Sequence, residues 1–203
     1  MHIDFFVEEI STEYFLESIL PKILITDFSY KIHPYQGKQD LLKRLPYRLR
    51  GLNKWIPVDH KIFVLIDRDN DDCHQLKENF EEAALNTGLK TKSKPDENGQ
   101  YQIINRIAIE ELEAWYFGDI QALNSAYPRI DINLDKKAPY RDPDAIRGGT
   151  WEKLVRELRK KGYKEEITKT KLAQNVSVYM NPSRNSSHSF QVFRDGLISL
   201  VNQ

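Results

Sequence analysis

Residues 62–66, Ile-Phe-Val-Leu-Ile, form an unbroken apolar run that stops directly at Asp67. Lys61 precedes it, and 61–66 is the strongest strand signal in the chain. A strand with no polar alternation offers no face to water, so it belongs inside a sheet covered on both sides. Residues 3–7, Ile-Asp-Phe-Phe-Val, suit a second buried strand, which ends at Glu8. Residues 28–33 alternate through Phe28, Tyr30 and Ile32, and residues 101–109 are β-like through Tyr101, Ile103, Ile104, Ile107 and Ile109.

Helical patterns separate these strands. Ser11 and Thr12 suit an N-cap for a helix turning Tyr14, Phe15, Ile19 and Leu20 inward, with Pro21 limiting its extent. The basic amphipathic stretch from Lys38 to Lys54 is expected to break at Pro46. Residues 72–87 place Leu76, Phe80, Ala83, Ala84 and Leu85 at helical spacing before Gly88. Residues 110–126 read as helical, with an interruption at Gly118. Strand and helix therefore alternate, which predicts right-handed crossovers and a mainly parallel, four-stranded α/β sheet flanked by helices. Residues 131–150 are polar and turn-rich, with Asp142-Pro143-Asp144 and Gly148-Gly149. Helices are expected around 151–161, 165–180 and 190–201. The expected organisation is an α/β domain over 1–130 with a basic helical extension, 131–203, packed on it.

Composition narrows the function classes. The 203 residues are 40% hydrophobic and 11% aromatic, enough for a core. No apolar run approaches the roughly 20 residues that cross a bilayer. The N-terminus lacks the basic start of a signal peptide, so a cytoplasmic protein without membrane contact is expected. The single cysteine, Cys73, excludes an intrachain disulfide and a multi-cysteine zinc cage. No glycine-rich nucleotide loop occurs. The five histidines, His2, His33, His60, His74 and His188, are scattered and form no metal-spaced pair.

The 30 basic and 30 acidic side chains cancel, which argues against a sequence-independent DNA coater. They are not evenly spread. Residues 1–135 hold 16 basic and 23 acidic groups; residues 136–203 hold 14 basic and 7 acidic. An acidic body with a basic tail brings hard cations and a polyanion to one place, or the two parts attract each other.

In parallel α/β sheets, ligands bind beyond the carboxyl ends of the strands. Those ends are acidic here. Glu8 and Glu9 follow the first strand, Asp67, Asp69, Asp71 and Asp72 the third, and Glu110, Glu111 and Glu113 the fourth. So many carboxylates on one edge repel unless cations or protons intervene. All-oxygen ligation points to Mg²⁺ or Mn²⁺. Asp67-Arg68-Asp69 is the sharpest element, while Asp71 or Asp72 suits an N-cap of the next helix. Glu9 and Glu13 read as surface groups, and Trp115, Tyr116 and Phe117 as core. Lys38 follows Gly37 at a helix start, a pairing that suits phosphate binding, although an exposed lysine is the commoner role.

Glu8 after the first strand and Asp67-Arg68-Asp69 after the third resemble the Toprim domain of topoisomerases, primases and OLD-type nucleases. The fuller set is Phe6-Val7-Glu8-Glu9, Gly37-Lys38-Gln39-Asp40-Leu41-Leu42, Val64-Leu65-Ile66-Asp67-Arg68-Asp69, Ile109-Glu110-Glu111-Leu112-Glu113-Ala114-Trp115 and Ser189-Phe190-Gln191-Val192-Phe193-Arg194. In that order, over nearly the whole chain, it resembles a Toprim-like family described as a domain of unknown function, DUF4276. The resemblance implies a Rossmann-like Toprim fold and a Mg²⁺-dependent (or Mn²⁺-dependent) nuclease site. Glu8, Asp67, Asp69 and Glu111 would be catalytic, and the same four with Glu113 would hold the metal. Thr12 stands where related nucleases carry a second acid; Glu13 is adjacent. The resemblance further implies nucleic acid as substrate, an ATPase partner and a role in bacterial anti-phage defence. A non-catalytic partner module of an ATPase, with a degenerate metal site, is the alternative it leaves.

Overall fold

The computed structural model describes residues 1–25, 28–57 and 59–203. The elements run β1 (His2–Val7), α1 (Ile10–Ile23), β2 (Ser29–Pro34), α2 (Lys38–Leu52), β3 (His60–Asp67), α3 (Cys73–Leu85) and β4 (Ile103–Ala108). Then come α4 (Leu112–Phe117), α5 (Ile120–Ala126), α6 (Thr150–Lys160), α7 (Lys169–Ser177) and α8 (His188–Val201), with short 3-10 turns between α5 and α6. The four strands form one sheet in the order β2-β1-β3-β4, and every pairing is parallel. The chain is thus an α/β fold of the expected class.

Alternation along the strands assigns each helix to a face. Ile3, Phe5 and Val7 of β1, with Phe63 and Leu65 of β3, pack against Phe15, Leu16, Ile19 and Leu20 of α1 and Phe190, Phe193 and Leu197 of α8. Phe6, Ile62, Val64 and Ile66 face the other way, onto Leu41, Leu45 and Leu49 of α2 and Leu76, Phe80 and Ala84 of α3. Every residue of β3 is buried, as its uninterrupted apolar run requires.

One proline expectation is corrected. Helix α2 runs through Pro46 without ending there. Leu41, Leu45 and Leu49 recur every fourth residue and are all buried, so packing of that stripe holds the helix across the missing N–H. Pro21 lies in the last turn of α1, which ends two residues on at Ile23, in keeping with the limit expected of it. The cap of α1 is also corrected. Glu9 is the N-cap residue, while Ser11 and Thr12 are buried in the first turn. Ser11 Oγ donates to Glu9 Oε1 at 2.6 Å. The interruption at Gly118 is present, separating α4 from α5.

One continuous apolar core joins 1–130 to 131–203, with Phe15, Trp115, Phe190 and Phe193 in mutual contact. Charge reinforces the join. Lys22 Nζ donates to the carbonyls of Ser177, Val178 and Met180 at 2.9, 2.8 and 3.0 Å, placing a cation at the C-terminal end of α7. Buried Asp119 accepts from Arg184 Nε and Nη2 at 2.7 and 2.9 Å and from the Asn181 N–H at 2.8 Å. No helix among the described residues is long and apolar enough to cross a membrane.

On the other face, Glu81 of α3 ties the helix to β4. It accepts from Lys77 at 2.7 Å, from Asn105 Nδ2 at 2.9 Å and from Ser93. Burial works to raise its pKa, but these donors outweigh it and bring the carboxyl down to about 2 from 4.5. A lowered carboxyl pKa stabilises above the unfolded value and loses that contribution as pH falls through the folded one. Glu81→Gln should therefore cost about 1–3 kcal/mol at pH 7 in urea unfolding. The difference from the native chain should shrink between about pH 4.5 and pH 2. A difference that stays constant over that range contradicts the assignment.

Candidate metal centre

The strand order fixes where a site can form. From β1 the chain goes outward to β2, and from β3 it goes outward to β4 on the other side. The crevice between the carboxyl ends of β1 and β3 is therefore the switch point of the sheet. Glu8 leaves β1 there and Asp67 is the last residue of β3. Glu8 Oε2 accepts from the Asp67 N–H at 3.4 Å.

Backbone geometry beyond the strands is unusual at two facing positions. Asp69 and Glu110 are the only described non-glycine residues with positive φ, at 52° and 64°. Asp69 N–H donates to Glu110 O at 2.8 Å, and Arg68 N–H to Ala108 O at 2.9 Å. Arg68 also pairs with the Glu110 side chain. Left-handed acidic residues persist only where their surroundings hold them, and such strain collects at functional sites. Here it binds the β3 and β4 ends into one rim.

Each expected residue has a definite place. Asp67 is buried, and its pKa is raised well above the usual carboxylate range by burial first, then by Glu113, Glu8 and Asp69. Glu113, on α4, is 1% exposed; burial pushes its pKa up to about 7, against the pull of Lys169. Its Oε2 is buried with no hydrogen-bond partner. Glu8 is raised by burial and by Asp69, with Lys38 opposing. Glu111 behaves differently. Its Oε2 accepts from Thr150 Oγ1 and Trp151 N–H, both at 2.9 Å, and Lys169 lies 3.4 Å from Oε1. Burial works upward on Glu111, but these donors hold its pKa below the ordinary value. Both its oxygens are engaged, and one of them anchors the start of α6.

Lys38 donates to Asp69 Oδ2 at 2.6 Å, Asp71 Oδ2 at 2.8 Å and Arg68 O at 3.1 Å. All its protons have protein acceptors, so a phosphate would have to displace one. Gly37, at φ 95°, caps α2 and donates its N–H to Glu8 O at 2.9 Å, which sets Lys38 beside the β1 end. Asp72 caps α3 as expected, accepting from the N–H groups of His74 and Gln75 at 2.9 Å. Glu13 lies apart, with Glu17 and His33 beside it. Trp115, Tyr116 and Phe117 are all buried.

Lys169 is the residue that sequence reasoning missed. It opens α7, 3.7 Å from Glu9 and 3.4 Å from Glu111. Burial pulls its pKa down, but Glu113, Glu9, Asp67 and Glu111 together raise it. Glu9, expected at the surface, is half-buried and faces this ammonium. A polar cleft of about 610 Å³, lined by Asp69, Asn70, Glu110, Glu111, Gly148, Gly149 and Glu152, opens over the rim. Gly149, at φ 77°, is needed there, because a residue with a Cβ is strained in that left-handed conformation.

The family model described as Domain of unknown function (DUF4276) matches residues 7–198. The chain belongs to the DUF4276 family. No curated protein and no solved structure matches it. The DUF4276 match spans Glu8, Asp67, Glu113 and Lys169 alike, so body and extension lie within one family unit.

The histidines are not scattered in space. Three of them, His2, His33 and His60, surround Asp4 at the opposite end of the sheet, and two of these correct the expectation that the histidines form no metal-spaced pair. His2, Asp4 and His60 bring ligand atoms within 4.8 Å of one another. Parallel register is the cause, because it sets His2 of β1 opposite His60 of β3.

A carboxylic acid with a raised pKa costs stability above its unfolded value, in full only above its folded one. Glu113→Gln should match the metal-free native chain near pH 4. It should gain stability as pH rises from 4.5 through about 7, reaching about 2–3 kcal/mol. Denaturant unfolding across pH checks this; equal stabilities at pH 8 contradict it.

Proposed function

We propose that this protein is a Toprim-like, divalent-metal-dependent enzyme that cleaves phosphodiester bonds in nucleic acid. The observation that carries the reading is the unpartnered Glu113 Oε2, buried beside Asp67 at the switch point of the sheet. Buried carboxylates of this kind are expected to be paired or to bind metal. Oxygen donors fit Mg²⁺ or Mn²⁺, and Asp67, Glu113 and Glu8 would hold the ion, with Asp69 at the rim. When bound, the ion supplies charge neutralisation at a phosphate oxygen and lowers the pKa of a nearby water. Glu8 would position or deprotonate that water. Lys169 offsets anionic charge at the rim.

Helix α6 supports nucleic acid as the substrate. Its first turn is held by Glu111 at the acidic centre. Further along, Lys153, Arg156, Lys160 and Lys161 line a groove of about 520 Å³ with Lys137. A polyanion lying in that groove is led along α6 towards the carboxylates, in keeping with salt-dependent backbone binding.

Lys169 also favours a second reading, in which its ammonium takes the place of a metal and the chain is a non-catalytic partner of an ATPase. Two variants separate the readings. With nicked, supercoiled and single-stranded DNA and RNA plus Mg²⁺ or Mn²⁺, the native protein should cleave. Asp67→Asn should lower the rate by at least about 100-fold. If the native protein is inert and Lys169→Met binds Mn²⁺ more tightly, the second reading stands. Cleavage that survives Asp67→Asn overturns the assigned centre.

A further inference from the structure

The amino-terminal edge of the sheet holds a cluster that the phosphodiester chemistry does not use. His2 and Asp4 are alternate residues of β1 and share its α2 face, with His60 of β3 in register beside His2. Asp4 is the hub. His33 Nε2 donates to its Oδ1 and His60 Nε2 to its Oδ2, both at 2.7 Å. His2 Nε2 lies 3.7 Å from Oδ1. Asp4, His33 and His60 expose only 8%, 17% and 9% of their side chains. His2 Nδ1 shares a 2.7 Å hydrogen bond with Ser29 Oγ, which fixes the ring and turns Nε2 towards Asp4. An imidazole held through its far nitrogen in this way is the usual arrangement of a metal ligand.

We propose that His2, Asp4 and His60 form a second metal site, selective for Zn²⁺ or a similar borderline transition ion, at the end of the sheet opposite the carboxylate centre. Imidazole with one carboxylate suits zinc, whereas Mg²⁺ favours oxygen alone. Bonds of about 2.1 Å to a tetrahedral ion place ligand atoms about 3.4 Å apart. The three ligand atoms lie within 4.8 Å of one another, so side-chain rotations that bring them about 1 Å closer seat them on one ion. On binding, His60 Nε2 turns its lone pair to the ion, and its proton moves to Nδ1 or to solvent. A cleft of about 390 Å³, walled by Lys31, Tyr47, Arg48 and Trp55, gives the ion access and leaves its fourth position to solvent. His33 remains on Asp4 and orients the carboxylate.

The test uses the untagged 203-residue chain. Calorimetry with Zn²⁺ should give one equivalent that Mg²⁺ does not displace. Co²⁺ should give visible absorption of a tetrahedral site and quench Trp55, whose ring lies 6.0 Å from that of His60. Asp4→Asn and His60→Gln should each weaken Zn²⁺ binding by about 100-fold, and His33→Gln by about 10-fold. His2→Gln, at the rim of the sheet, guards against loss of fold and should weaken binding comparably. Asp67→Asn should leave it unchanged, which separates this site from the carboxylate centre. Equal Zn²⁺ affinity in the native, His2→Gln and His60→Gln proteins overturns the proposal, as does full displacement by Mg²⁺.

Discussion

Negative charge at the carboxyl end of the sheet has to be compensated, and much of the architecture follows from that need. Burial raises the pKa of Glu8, Asp67 and Glu113, and at Asp67 the charges of Glu113 and Glu8 raise it further. At effective dielectric constants near 20, like charges about 4 Å apart repel by about 4 kcal/mol. The fold answers in two ways. It lets Glu113 and Asp67 hold protons more tightly, and it brings Lys169 from the distant α7 to the rim. The residual anionic excess beside an unpartnered Glu113 oxygen is what a divalent cation would neutralise.

This explains why the basic C-terminal segment is built into the core instead of hanging from it. Helix α7 packs on α1, and α8 covers the sheet beside β4. Lys22 binds the carbonyls at the C-terminal end of α7, so the helix that delivers Lys169 is fixed at both ends. Glu111 completes the arrangement by holding the N-terminal turn of α6. Body and extension therefore share apolar core and charge balance at the same point, and loosening either affects the rim.

The sheet was legible in the sequence because its signal is local. Apolar runs at 3–7 and 62–66 mark strands covered on both faces, and their alternation with helical patterns dictates parallel crossovers. Acids after three strands follow from the same reading, and of these Glu8 accepts from the Asp67 N–H while Glu113 acts on the charge of Asp67. Other features depend on long-range contact. Pro46 argued for a break, but three buried leucines overrode it. Glu111 looked equivalent to Glu113, yet one holds the first turn of α6 and the other has an oxygen without a partner, a difference set by Thr150 and Trp151. Lys169 is one lysine among many in a basic segment, and only the charge polarity hinted at its partner. His2 and His60 are far apart in the chain and become neighbours through strand register alone.

Crystals soaked in Mn²⁺, examined by anomalous scattering, test the central claim most directly. The account predicts a peak bounded by Glu8, Asp67 and Glu113, with the Lys169 ammonium displaced away from Asp67. A map with no peak at the carboxyl ends of β1 and β3, and Lys169 still seated against Glu9 and Glu111, would contradict it.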